Sequence, residues 1–118
     1  MWQECGSKRR FTRYRANLLL TVSVLRHSRY ICTEASCCDI GEGGLTLITS
    51  EPLCAGEGVQ LSLALPTCAL SLRAIVRNRS GLRYGVEFLR LLPGYRESIL
   101  TFCRKLRYET AQELELEN

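Results

Sequence analysis

Hydrophobic residues alternate with polar or small ones through much of the chain. In the clearest run, Val59, Leu61 and Leu63 fall on one side of the pattern. The same alternation recurs in three further runs, at residues 18–25, 70–77 and 83–88. A period of two residues is typical of antiparallel strands that bury one face. The less regular segments 29–40 and 44–49 supply two more strands, so the pattern predicts six.

Turn sequences separate these strands, and the spacing of apolar residues changes after the last of them. Glycine-rich segments at 41–44 and 55–58, and a third turn at 78–81, fit short connections between strands. After Leu92 the apolar positions follow helical spacing, and Pro93 suits a first helical turn. Because closing a sheet removes its exposed edges, six strands with short connections favour a small barrel. The predicted fold is mainly β, a six-stranded antiparallel β-barrel followed by a C-terminal α-helix.

The composition is that of one globular domain. The chain has 118 residues, of which 46% are hydrophobic and 24% are charged, and this balance excludes an intrinsically disordered chain. No apolar run approaches the roughly 18–20 residues that cross a bilayer. The N-terminal sequence MWQECGSKRR lacks the apolar segment of a signal peptide. We therefore expect a cytoplasmic protein without a membrane span.

Residue types that carry catalysis and metal binding are sparse. The chain has seven cysteines, an odd number, and no two of them have the C-x-x-C spacing. The single histidine, His27, gives little basis for a catalytic triad or for a mixed Cys/His metal site. We expect reduced thiols, no metal, no cofactor and no enzymatic activity.

The net charge of +4 is confined to the N-terminus. Residues 1–15 contain five basic residues against one acidic residue, whereas the two kinds balance over residues 16–118. Arginine dominates the basic residues, and its planar guanidinium can bond phosphates and guanine edges in pairs. We divide the chain into a flexible basic arm at 1–15, a barrel at 16–92 and a helix at 93–113.

The arm has the features of an anion-binding segment. Arg9 and Arg13 are four residues apart, so both can be aimed at one anionic ligand. Phe11 and Tyr14 interleave with the arginines, so the arm can stack as well as attract charge. A solvated basic tail is the alternative interpretation of the same run.

A second segment, D-I-G-E-G-G at residues 39–44, combines acidic residues with three glycines. The glycines permit close approach of the backbone to another group. The carboxylate of Asp39 can accept hydrogen bonds from the N1–H and N2–H₂ donors of guanine. The alternative is a strand–turn–strand segment whose glycines serve the backbone alone.

These two segments and one strand together resemble bacterial PilZ domains. R-R-F-T-R at 9–13 resembles the family motif R-x-x-x-R, and residues 39–44 resemble D-x-S-x-x-G. Residues 83–88 are similar to the family's R-Y-G-V-E-F strand. The resemblance covers about residues 8–107, in the family's order. It implies a six-stranded PilZ-type barrel with a C-terminal helix, and a receptor for cyclic di-GMP, a bacterial second messenger.

The resemblance also implies which residues contact this ligand. They lie in both motifs and on the strand before R-Y-G-V-E-F: Arg9, Arg10, Arg13, Asp39, Gly41, Gly43, Gly44 and Arg77. Position 41 departs from the family motif, because a glycine replaces its serine. The missing hydroxyl removes a hydrogen bond worth on the order of 1 kcal/mol, which is about fivefold in affinity.

The resulting hypothesis is a receptor that signals through its arm. An arm of like charges repels itself and stays mobile until the ligand orders it. The changed surface is then presented to a protein partner, in motility, biofilm or polysaccharide control. One alternative is a PilZ-like protein-interaction module with weak or lost ligand binding. The other is a binder of single-stranded nucleic acid through Arg73, Arg77 and Arg83, against which the neutrality of residues 16–118 argues.

Overall fold

The computed structural model describes the backbone of residues 11–117 and the side chains of residues 11–107. This part of the chain forms six strands and one helix. In chain order they are β1 (Arg13–Arg26), β2 (Arg29–Gly41), β3 (Gly44–Ile48), β4 (Gly58–Ala64), β5 (Ala69–Ser80), β6 (Arg83–Leu89) and α1 (Pro93–Glu117). The first strand begins at Arg13, inside the segment that we assigned to the arm. Residues 1–10 of that arm lie outside the described residues.

The strands close into a barrel in the order β1-β2-β3-β6-β5-β4, and all neighbouring strands are antiparallel. The alternation in the sequence accounts for the burial. In β4, for example, Leu61 and Leu63 are buried in the barrel while Gln60 and Ser62 are exposed. The predicted fold, a six-stranded antiparallel β-barrel with a C-terminal helix, is confirmed.

Strand β6 carries the R-Y-G-V-E-F sequence and shows how its residues divide between core and surface. Tyr84, Val86 and Phe88 are buried, whereas Arg83 and Glu87 are exposed. The hydroxyl of Tyr84 accepts a hydrogen bond from the backbone N–H of Leu53 at 3.1 Å. A buried tyrosine needs such a partner for its polar end.

The helix packs against the barrel where β2 ends. Among its side chains up to residue 107, Ile99 and Cys103 are buried, and the Sγ of Cys103 lies 3.8 Å from the carbonyl oxygen of Ile40. Arg96 adds an ion pair across the same contact, with its Nε 3.7 Å from Oε2 of Glu42. Over residues 11–117, no helix is both long enough and apolar enough to cross a membrane.

Three irregularities interrupt the strand pairing near this part of the barrel. Between Arg15 and Leu18, β1 has one more residue than β2. Between Cys37 and Asp39, β2 has one more residue than β3. Between Val76 and Asn78, β5 has one more residue than β6, and that extra residue is Arg77. A bulge of this kind bends a strand and re-aims side chains, and Arg77 lies on the exposed surface.

Candidate functional site

Antiparallel pairing brings the two sequence motifs together at one end of the barrel. Strand β1 begins where β2 ends, so that Arg13 lies opposite Gly41 and Arg15 lies opposite Asp39. Strand β3 then runs back beside β2 and places Thr46 opposite Asp39. Residues that are more than 25 positions apart in sequence therefore share one outer surface.

The side chain of Arg13 is held by acceptors from two strands. Its Nη1 donates to Oδ1 of Asp39 at 3.0 Å and to Oγ1 of Thr46 at 3.2 Å. The side chain of Arg13 is 16% exposed and that of Asp39 is 25% exposed. Hydrogen bonds between ionised partners are shorter and stronger than neutral ones. The two predicted residues Arg13 and Asp39 thus form one partly buried ion pair.

The glycines of the second motif lie against the first described residues of the chain. A side chain at Gly41 would overlap the backbone carbonyl of Thr12, and one at Gly43 would lie 2.6 Å from Cδ2 of the Phe11 ring. Gly44 is confined by a different element, because a Cβ there would meet the carbonyl oxygen of Val86. In this structure the absence of side chains at positions 41 and 43 allows Phe11 and Thr12 to pack closely on the turn.

Arg77 is bonded to Glu87, an acidic residue that lies next to the glycine turn. Its Nε donates to Oε1 of Glu87 at 2.6 Å, and both side chains are about half exposed. Glu87 lies directly opposite Gly44 across the pairing of β3 with β6. The structure therefore places Arg77 beside the glycine turn, bound to a carboxylate.

Arg9 and Arg10 lie outside the described residues. Both precede Phe11, which packs on Gly43. Their assignment as ligand contacts stays a prediction.

Two buried thiols lie near the site and are held in the protonated form. Burial raises the pKa of Cys37 from 9.0 to about 12, and the charge of Asp39 adds to the effect. Burial likewise raises the pKa of Cys103 to about 11, with a contribution from Glu42. Since the thiolate is the nucleophile, neither group has the chemistry of a reactive cysteine near neutral pH.

The sequence analysis did not assign Thr46 or Glu87 to the site. Thr46 is a polar residue between Leu45 and Leu47, and it is buried as they are. Segment 44–49 was predicted only as a less regular strand, and the pairing of β2 with β3 is what shows that Thr46 meets Arg13. Glu87 is a partner of Arg77 only because β5 pairs with β6, which the sequence pattern does not show.

The arrangement suits a ligand that carries both negative charge and a hydrogen-bonding ring edge. The pairs Arg13–Asp39 and Arg77–Glu87 each combine a cationic donor with an anionic acceptor. Guanidinium groups can bond phosphate or a ring acceptor edge, and carboxylates accept from ring donors.

Comparison with known proteins agrees with this fold. The family model described as "PilZ domain" matches residues 7–105. No curated protein sequence matches the chain.

Three solved structures show the same architecture. The PilZ domain of YcgR from Escherichia coli, solved with c-di-GMP, has a TM-score of 0.72 and 15% identity, over 92% of this chain and 98% of that one. The inhibitor of motility MotI/DgrA from Bacillus subtilis has a TM-score of 0.68 and 18% identity, over 86% of this chain and 52% of that one. The PilZ domain of CeSA, from a cellulose-synthesizing bacterium, has a TM-score of 0.64 and 17% identity, over 81% of this chain and 98% of that one.

These likenesses show a shared fold, and the chain spans about half the length of the longer MotI/DgrA. The family match covers most of the sequence, including both motifs and the strand R-Y-G-V-E-F. This chain belongs to the PilZ domain family.

Proposed function

We propose that this PilZ domain is a non-enzymatic receptor for cyclic di-GMP. The observation that carries the proposal is the bond between Arg13 of the first motif and Asp39 of the second, at 3.0 Å on one outer surface. The family match and the structural likeness to a PilZ domain solved with c-di-GMP support the choice of ligand.

The chemistry of the ligand fits these residues. Cyclic di-GMP has two phosphate charges and two guanine bases. An arginine can bond guanine O6 and N7 in a fork, worth about 1–3 kcal/mol of discrimination against the wrong base. Arg9, Arg10 and Arg13 are proposed to bind these edges and the phosphates. The exposed part of the Asp39 carboxylate accepts from guanine N1–H and N2–H₂, and adenine does not present this pair of donors.

Arg77 is proposed as a further contact that changes partner on binding. Its ion pair with Glu87 is about half exposed, and exposed pairs contribute little to stability because water screens them. Arg77 can therefore leave Glu87 for a ligand phosphate at small cost. Gly41, Gly43 and Gly44 are proposed to contact the ligand through their backbone.

Signalling is proposed to occur through the arm. Ligand phosphates remove the repulsion among the arm's arginines, and the arm orders over the ligand. The contacts of Phe11 and Thr12 with the glycine turn provide the surface on which it orders. The changed surface is then recognised by a protein partner.

The protein is proposed to act in the cytoplasm. The described cysteines are all unpaired, which fits a reducing compartment.

Calorimetric titration with cyclic di-GMP tests the ligand assignment. Arg13→Ala and Asp39→Ala are each expected to weaken binding tenfold or more, because each removes one half of the pair that joins the two motifs. Arg29→Ala is the matched control, since Arg29 begins β2 at the opposite end of the barrel. It is expected to keep the wild-type affinity. A wild-type chain that binds an oligonucleotide, or neither ligand, contradicts the proposal in favour of one of its two alternatives.

Hydrogen exchange tests the switch. Peptides that cover the arm are expected to gain protection when cyclic di-GMP is added, while peptides from β4 stay unchanged. Ligand binding without any gain of protection in the arm contradicts this part of the proposal.

A further inference from the structure

Position 41 is where this chain departs from the family motif, and its surroundings explain how a glycine is accommodated. A Cβ at Gly41 would lie 3.4 Å from Cδ of Arg13, so a motif serine would stand beside the arginine side chain. The same Cβ would overlap the carbonyl of Thr12. With Thr12 in this position, the turn has no room for the serine.

A hydroxyl reaches the same arginine from the neighbouring strand. Oγ1 of Thr46 accepts from Nη1 of Arg13 at 3.2 Å. Thr46 is 7% exposed and is one of two buried polar side chains in residues 11–107. It lies directly opposite Asp39, the second acceptor of the same Nη1.

Two acceptors on adjacent strands restrict the guanidinium more than one does. Asp39 alone would permit the flexible arginine side chain to rotate about a single contact. Thr46 adds a second contact from β3, and its β-branched side chain has few rotamers of its own. The position of the guanidinium is therefore fixed by the barrel wall.

We propose that Thr46 is a positioning residue for ligand binding, supplying from β3 the hydroxyl that the family motif carries at position 41. It orients Arg13 toward the ligand and does not touch the ligand itself. This inference rests on the proposed function of the chain as a cyclic di-GMP receptor.

Titration of three threonine variants with cyclic di-GMP tests the role. Thr46→Val keeps the branched shape and removes the hydroxyl, and it is expected to weaken binding about five- to tenfold. Thr46→Ser restores the hydroxyl and is expected to bind within about twofold of wild type. Thr49→Val is the matched control, because it removes a buried hydroxyl that donates to the carbonyl of Glu34. It is expected to leave the affinity unchanged.

A double-mutant cycle separates positioning from a general structural effect. In the Arg13→Ala background, Thr46→Val is expected to cause no further loss, because the hydroxyl acts through Arg13. Additive losses overturn the inference, as does wild-type affinity in Thr46→Val. If the wild-type chain itself binds no cyclic di-GMP, the proposed function fails and the ligand role of Thr46 fails with it. Wild-type binding that is insensitive to Thr46→Val overturns this inference alone.

Discussion

At Gly44 the barrel leaves no space for a side chain. A Cβ there would overlap the carbonyl oxygen of Val86, which lies in β6 and is held in the sheet. At Gly58, the first residue of β4, the same atom would meet nothing within 4 Å. Two glycines in strands of one barrel therefore serve different purposes, and only the first is required for close strand approach.

Gly44→Ala is expected to lower the free energy of unfolding by about 1–3 kcal/mol, because either β3 or β6 must shift to admit the methyl group. Urea unfolding monitored by circular dichroism measures the change. Gly58→Ala is the control, and its effect is expected to be within about 0.5 kcal/mol of wild type. Equal destabilisation by the two substitutions would contradict this account of Gly44.

Strands β1 and β2 are joined by a two-residue turn that glycine does not provide. His27 and Ser28 have φ values of 49° and 66°, and Arg26 pairs with Arg29 on either side of them. Positive φ at both central residues is the type I′ arrangement, which matches the twist of the flanking strands. Asparagine and glycine adopt it at lower cost than histidine and serine.

The double substitution His27→Asn and Ser28→Gly is expected to raise the free energy of unfolding by on the order of 1 kcal/mol. The reason is local, since the turn geometry is kept and the strain of two left-handed residues is reduced. Ser50→Gly is a control at an exposed loop residue without positive φ. It is expected to be neutral or slightly destabilising, because glycine gains freedom in the unfolded chain. No gain from the turn substitution relative to this control would refute the expectation.

For the molecule as a whole, the buried thiol of Cys37 is expected to lower the free energy of unfolding at high pH. The pKa of Cys37 is about 12 in the folded chain, against 9.0 for an unperturbed thiol, because of burial. Between these values the unfolded chain loses a proton that the folded chain keeps. The stability is therefore fully present below pH 9 and falls as the pH rises toward 12.

Cys37→Ala is expected to reduce this alkaline loss. Relative to pH 8, the wild-type chain should lose about 2 kcal/mol more stability than Cys37→Ala by pH 10.5. Urea unfolding at both pH values gives the difference. Cys32→Ala, which removes an exposed thiol and leaves both buried thiols in place, should keep the wild-type loss. Parallel pH curves for wild type and Cys37→Ala would show that this thiol does not titrate differently on unfolding.

The fold could be predicted from the sequence to a large extent because a strand with one buried face shows a local alternation of apolar and polar residues. The alternation around Leu61 and Leu63 gives both the strand and its buried face. The bulges could not be predicted in this way. Cys38 and Arg77 are extra residues only relative to the partner strands β3 and β6. A local sequence pattern does not show which strand will be the partner or in what register it pairs.

Some residues of the candidate site could likewise be predicted from the sequence, and others could not. The motif pattern named Arg13 and Asp39, and the structure places them 3.0 Å apart. It did not name Thr46, whose hydroxyl is a partner only because β3 pairs with β2 in one register. Nor did it indicate that the glycines at 41 and 43 accommodate the chain's own residues Thr12 and Phe11.

By itself, then, the sequence determined the class of fold, the buried face of the regularly alternating strands, and the two motif segments that carry the charge. These follow from the spacing of apolar residues and from residue type, which act over a few positions. The tertiary structure decided the strand order, the bulge at Arg77, and the second acceptor that holds Arg13. Those features depend on which distant strands pair and in what register, since hydrogen bonds form only between groups that the closed barrel brings within about 3 Å.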